Sequence, residues 1–261
     1  MKLSIDNIND IVVGSHETLL SYDCDHNVMK YLLNDRGIEE KTIKAFQIGY
    51  CSNVIESMIN KDYYNNSSNY PMIKPDFLRD KLIFPIRDDC GNLSSFATRS
   101  IGKKSNWWNY PFIKGNILYG LNNARARSYR ENKLYIVEGY LDCCILWQFG
   151  LANTASVMGT RLTMIHAGLI KRYCDNICLC FDADPMKEGK MGSGQKATLK
   201  TYENIKDFFN ITSINLPMSY DKTNEQFIGM DPDTYVINNG LEELLNLECK
   251  IEKEVCSWNK N

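Results

Sequence analysis

Two apolar runs in the second half of the chain each end abruptly in carboxylates. Leu134-Tyr-Ile-Val137 runs into Glu138-Gly139-Tyr-Leu-Asp142, and Ile177-Cys-Leu-Cys-Phe181 runs into Asp182-Ala-Asp184. A short continuous apolar run of this kind reads as a buried parallel strand. In open α/β sheets ligands sit outside the carboxyl ends of the strands, where both acidic groups then fall. Glu138, Asp182 and Asp184 gathered there repel one another unless they share a cation. An all-oxygen donor set suits a hard divalent ion, Mg²⁺ or Mn²⁺. The chemistry this points to is metal-assisted phosphoryl transfer.

The ten cysteines offer no rival centre. There is no C-x-x-C pair, and Cys24 with His16 or His26 lacks zinc-site spacing, so no zinc site is expected. Cys178 and Cys180 alternate along a strand pattern, and Cys143 and Cys144 lie in a helical stretch. They read as small buried hydrophobes in a reducing compartment.

The elements that must position the carboxylates follow from the rhythm of the sequence. From Lys133 onward it alternates strand and helix: strands at 134–138, 153–158, 176–181 and 211–216, helices at 140–149, 163–173 and 194–208. Gly150 closes the first of these helices. Such alternation implies a parallel sheet flanked by crossover helices. Asp231-Pro-Asp-Thr opens a further helix with Pro232 in its first turn, and 240–255 has amphipathic spacing at Leu241, Leu244, Leu245 and Ile251. Upstream the pattern is mixed. Residues 1–28 are weakly patterned, and 28–46 gives two short helices broken at Arg36-Gly37. Residues 60–76 read as a loop, and 81–86 with 93–98 make a hairpin around Asp88-Asp-Cys-Gly91.

Bulk properties are those of a soluble globular protein: 44% apolar and 24% charged residues. No apolar run approaches the ~18–20 residues that span a bilayer, and no signal peptide opens the chain. A cytoplasmic location without a membrane partner is expected. The net charge of −2 conceals an asymmetry. Between Cys90 and Arg130 there is no Asp or Glu, but seven cations: Arg99, Lys103, Lys104, Lys114, Arg125, Arg127 and Arg130. A basic stretch beside an acidic remainder is what a phosphate backbone running past a metal site requires. Trp107, Trp108, Tyr110 and Phe112 lie inside it, either as stacking surfaces for bases or as core.

Taken in order, these motifs resemble the catalytic core of bacterial DNA primases of the DnaG type, including its toprim (topoisomerase–primase) domain. Tyr31-Leu-Leu-Asn-Asp-Arg-Gly37 with Phe46-Gln-Ile-Gly-Tyr50 is similar to the family's opening segment. Leu82-Ile-Phe-Pro-Ile-Arg-Asp88 and Phe96-Ala-Thr-Arg99 are similar to its basic strands. Lys114-Gly-Asn-Ile-Leu-Tyr-Gly-Leu121 is similar to the element before the toprim domain. Val137-Glu-Gly-Tyr-Leu-Asp142, Gly159-Thr160 and Asp182-Ala-Asp184 resemble the toprim signatures, and Asp231-Pro-Asp233 the late acidic pair.

The resemblance implies an α/β protein in three parts: a basic α+β subdomain over 1–130, the toprim domain over 131–220 and a short helical C-terminal segment over 221–261. It implies synthesis of short RNA primers on a single-stranded DNA template from nucleoside triphosphates. Glu138, Asp182 and Asp184 would be the catalytic centre. Asp142, Asp231 and Asp233 would complete the metal ligands. Arg36, Arg87, Arg99, Lys103, Lys104 and Lys114 would line the template and nucleotide path, while Gly139 and Gly159 let the chain turn beside the metals. The family's N-terminal zinc module, a lysine near Asn106 and the C-terminal helicase-binding domain are not matched. Residues 185–193 read as an insertion before Gly194. A replicative helicase and a separate zinc-bearing protein are therefore expected partners, in a bacterial cell or a phage-infected host. The alternatives are another toprim enzyme (an overcoming-lysogenization-defect nuclease or a topoisomerase fragment) and a non-catalytic nucleic-acid-binding subunit.

Overall fold

The computed structural model describes residues 4–24, 26–52, 78–102, 106–159, 161–185, 192–221 and 226–251. The expected loop at 60–76, the cations Lys103 and Lys104, Thr160 and most of the 185–193 insertion lie outside them. The chain divides into two compact units, 1–112 and 113–261.

The first unit opens with a helix where weak patterning is expected from the sequence. Helix α1 (Ile5–Leu20) starts at Ser4, whose hydroxyl accepts from the Asn7 N–H. Its buried residues Ile8, Ile11, Val12, Ser15 and Leu19 recur at helical spacing. The stripe is narrow and interrupted by Asn, Asp and Gly, which is why it is faint in the sequence. Then come α2 (Asn27–Lys30), a π-helical turn over Tyr31–Asp35 and α3 (Glu40–Phe46), with the break at Arg36-Gly37 as expected; Gly37 has φ +64°. Four antiparallel strands follow in spatial order β1 (Gly49–Cys51), β2 (Lys81–Arg87), β3 (Leu93–Ser100) and β4 (Trp107–Asn109). The expected hairpin is β2–β3. Ile8, Ile11 and Val12 pack onto Cys51, Ile83, Phe96 and Tyr110. Trp108 packs against this cluster and Tyr110 stacks on Phe96 at 5.3 Å, so these two aromatics serve the core.

The second unit is the expected parallel sheet. It contains α4 (Leu121–Glu131), β5 (Lys133–Val137), α5 (Tyr140–Gln148), β6 (Thr154–Ser156) and α6 (Met164–Ile170). These lead into β7 (Asn176–Leu179), α7 (Ser193–Ile205) and β8 (Asn210–Ile214). Strands β6, β5, β7 and β8 run parallel, in that spatial order. A small hairpin, β9 (Ser219–Asp221) with β10 (Gln226–Ile228), precedes α8 (Pro232–Asn239) and α9 (Leu241–Asn246). The amphipathic helix expected through 255 stops at Asn246, and β11 (Glu248–Lys250) adds an antiparallel fifth strand beside β8. One residue fixes this edge: Glu248 accepts from Lys133 at 2.7 Å and from Thr212, tying β11 to β5 and β8. The core under the sheet joins Leu134, Ile136, Ile177, Leu179 and Phe181 to Ala155, Ala197 and Ile205. Its continuously apolar strands are those of a sheet buried on both faces.

Candidate active site

Strands β5 and β7 are neighbours in register, Ile136 opposite Leu179, so their carboxyl ends bring Glu138 and Asp182 side by side. Asp142 comes from the third position of α5. Its Oδ2 accepts from the Gly139 N–H at 3.0 Å, and its Oδ1 from the Asp233 N–H at 3.2 Å. The second bond draws the start of α8 to the site. A single antiparallel bridge, Ala183 with Met230, does the same for the Asp182–Asp184 loop, with N–H···O distances of 2.9 and 3.1 Å. Asp231 therefore stands next to the bridge, at the N-cap position of α8, where its side chain makes no capping bond. Asp184 accepts from the Gly194 N–H at 3.0 Å and from the Ser193 hydroxyl. The structure thus assembles all six carboxylates expected from the sequence.

The electrostatics of the group are strained. Burial, then Asp184, Asp142 and Asp231, push the Glu138 carboxyl up to about 7, against a bond from the Asp182 N–H that lowers it. Burial and then Glu138 and Asp231 push Asp182 up to about 8. Burial, with Asp233 next, holds Asp142 well above the carboxylate range. Glu138 Oε1 and Asp182 Oδ1 are buried without a hydrogen-bond partner. Orphaned buried acceptors are costly unless something else satisfies them, and an oxygen-seeking cation does so. The residues therefore fit a divalent metal. No three of the six offer ligand atoms within 4.8 Å of one another. Among the described residues only Asp88, Asp89 and Cys90, an exposed turn, do that. A spread set of carboxylates suits Mg²⁺, which keeps waters and takes one or two carboxylates plus substrate phosphates.

Two glycines matter through space rather than turning. Gly139 has φ −101°, open to any residue, but a Cβ there would meet Asp142 Oδ2 at 2.6 Å. A Cβ on Gly194 would overlap the Asp182 carbonyl oxygen and lie 3.4 Å from Glu138 Oε1. Gly159 donates its N–H to the Glu138 carbonyl at 3.0 Å, and Ser156 Oγ donates to the same oxygen at 2.7 Å. Lys114 reaches the same loop, donating to the Met158 carbonyl at 3.3 Å.

The arginines form a separate constellation inside the first unit. Arg36 and Arg99 both donate through Nε to the Tyr31 hydroxyl, at 2.9 and 3.0 Å. Arg99 is only 7% exposed and lies 4.9 Å over the Trp107 ring. Arg87 donates to the Gly91 carbonyl at 3.0 Å and to the Gln47 side chain. Sequence reasoning missed Tyr31 as the shared anchor, and Ser156 and Gly194 as supports of the carboxylates. Only the last carried a signal, as the glycine following the acidic pair.

Residues 15–125 match the family model "DNA primase catalytic core, N-terminal domain", and residues 135–227 match a "Toprim-like" model. The chain thus carries, in order, the two domains of a DnaG-type primase catalytic core. It is 32% identical over 247 residues to the DNA primase of Clostridium acetobutylicum, covering 86% of this chain and 37% of that one. To the Escherichia coli K12 DNA primase it is 28% identical over 231 residues, covering 80% and 37%. The chain thus spans a little over a third of the curated relatives it matches. The fold agrees with that of the Aquifex aeolicus primase zinc-binding and RNA polymerase domains (TM-score 0.75, 24% identity, 100% of this chain and 66% of that one). It also agrees with a DnaG primase catalytic domain solved bound to single-stranded DNA (TM-score 0.70, 25% identity, 93% and 79%). Among the described residues no helix is long and apolar enough to cross a membrane.

Proposed function

We propose that this chain is the catalytic core of a DNA primase, joining nucleoside triphosphates into short RNA on a single-stranded DNA template. The observation that carries this is the six-carboxylate group with its orphaned buried oxygens, four members of which lie inside a toprim-like domain that follows a primase core domain. Glu138, Asp182 and Asp184 form the centre. Asp142, Asp231 and Asp233 complete the donors available to Mg²⁺ or Mn²⁺. A bound divalent ion supplies neutralisation of phosphate charge and a more acidic attacking hydroxyl. The chain's own residues do the rest. Hydrogen bonds from Gly194, Ser193, Gly139 and the Asp233 amide hold the carboxylates in place before substrate arrives. Such preorganisation spares reorganisation during the reaction.

Lys114 and the basic stretch Lys103, Lys104, Arg87 and Arg99, with Arg36, take template and nucleotide phosphates. Arg36 and Arg99, locked on Tyr31, act as a fixed pair. In functional terms the parts are 1–130 for the template, 131–220 for chemistry and 221–261, which brings in Asp231 and Asp233, as its C-terminal support. A replicative helicase and a separate zinc-bearing protein select where synthesis begins, in the cytoplasm of a bacterium or an infected host.

The test is primer synthesis on mixed-sequence single-stranded DNA with labelled nucleotides and Mg²⁺ or Mn²⁺, wild type against an Asp182→Asn/Asp184→Asn double variant. Short labelled RNA that vanishes in the variant supports the assignment. Metal-dependent loss of the template instead identifies a nuclease.

A further inference from the structure

His166 is 1% exposed and has none of the roles assigned above. Its Nε2 lies 2.9 Å from the Lys114 carbonyl and 3.0 Å from the Ile117 carbonyl. Two acceptors at one ring nitrogen require that nitrogen to carry the proton. Its Nδ1 accepts from the Thr163 N–H at 3.3 Å, so that nitrogen is bare and the ring is neutral. Burial pulls the His166 pKa below its ordinary range, in agreement. The Thr163 hydroxyl donates to the Gly115 carbonyl at 2.8 Å. The N-terminal turn of α6 therefore grips three carbonyls of the 114–117 turn.

Lys114 is held at its other end as well. Its ammonium donates to the Met158 carbonyl, and Met158 is a non-glycine residue with φ +56°. A left-handed backbone at such a residue is unfavourable and persists only where its surroundings enforce it. Here Ser156 Oγ accepts from the Met158 N–H at 2.9 Å while donating to the Glu138 carbonyl, and the Gly159 N–H meets that same carbonyl. One continuous segment, 156–166, thus touches the backbone of Glu138, the ammonium of Lys114 and the backbone of Lys114. Partial desolvation lowers the Lys114 pKa, the mark of a cation kept out of bulk water.

We infer that His166 is a positioning residue: with Thr163 it locks the 114–117 turn onto the loop after β6, the loop that also holds the Glu138 backbone, so that the Lys114 cation is fixed in advance for the phosphates of the incoming nucleotide. The role rests on the nucleotide-binding reading proposed above. A flexible lysine side chain loses much rotamer freedom on binding a phosphate, and fixing its backbone in advance reduces that cost.

Equilibrium binding of a fluorescent ribonucleoside triphosphate tests this without requiring primer synthesis. Lys114→Ala, His166→Ala, His166→Gln and the Lys114→Ala/His166→Ala pair are compared, each checked for folding by thermal melting. Losing a charge-assisted phosphate contact weakens binding by about 10-fold. His166→Ala is expected to match Lys114→Ala, the pair to be no weaker than Lys114→Ala alone, and His166→Gln, which keeps a donor for the two carbonyls, to recover most of the affinity. Should His166→Ala fail to fold, Thr163→Ala is expected to show the same non-additive pattern with Lys114→Ala. Wild-type affinity in His166→Ala, or effects that multiply in the pair, would overturn the positioning role while leaving the nucleotide site intact. Wild-type affinity in Lys114→Ala, or no saturable binding by the wild type, would remove the nucleotide site and the positioning role together.

Discussion

Replacing Glu138 with Gln should stabilise the metal-free protein at pH 8, although it removes a residue at the heart of the site. The Glu138 carboxyl is pushed from 4.5 up to about 7 by burial and by three neighbouring carboxylates. A folded-state pKa above the unfolded one gives stability that is fully present below pH 4.5 and is lost as pH rises through about 7. At ~1.4 kcal/mol per pH unit the loss has an upper bound of ~3 kcal/mol. Residual solvent screening reduces it, to about 1–2 kcal/mol. A domain of this size shifts its Tm by ~2–4 °C per kcal/mol. Calorimetry in chelator should therefore find Glu138→Gln melting ~2–8 °C above wild type at pH 8, and level with it at pH 4. Saturating Mg²⁺ should reverse the order, because a ligand at ~100 times its Kd adds ~2.7 kcal/mol to a chain that binds it. A Gln variant less stable than wild type at pH 8 in chelator, or one with an undiminished Mg²⁺ gain, would refute this account of the carboxylates.

Three further outcomes are expected. Gly194→Ala puts a methyl group onto the Asp182 carbonyl oxygen; chemical denaturation should show a loss of ~1–3 kcal/mol, and Mg²⁺-induced stabilisation should shrink with it. Arg99→Lys keeps the charge but not the planar stacking on Trp107 or the Nε bond to Tyr31; it should cost ~1–2 kcal/mol by the same measurement, where a surface cation would cost nothing. Glu248→Ala leaves Lys133 half-buried without its partner and should cost ~1–3 kcal/mol. Most of that should return in Lys133→Met/Glu248→Met if the penalty is the stranded charge rather than the lost packing.

The toprim sheet was legible because its strands are buried on both faces and so read as unbroken apolar runs ending at Glu138 and Asp182. The hairpin β2–β3 was legible from its turn chemistry at Asp88–Gly91. Helix α1 was not, since only five of its residues are buried and polar residues interrupt them. Strand β11 was hidden because Leu241, Leu244, Leu245 and Ile251 fit a helix. What makes 248–250 a strand is the free edge of β8 and the Glu248–Lys133 contact, both non-local. The six carboxylates were found by motif, but their supports were not. Ser156, Thr163 and His166 act through backbone carbonyls, and no spacing rule connects a histidine to carbonyls 49 and 52 residues away.

The most direct measurement is extension of an RNA primer already annealed to a DNA template, by one labelled nucleotide, with and without Mg²⁺ or Mn²⁺. It asks only for nucleotidyl transfer and needs no partner that chooses an initiation site. The wild type is expected to add one nucleotide in a metal-dependent reaction that Asp182→Asn abolishes. Nucleotide binding without extension in either metal, or extension that survives Asp182→Asn, would contradict this expectation.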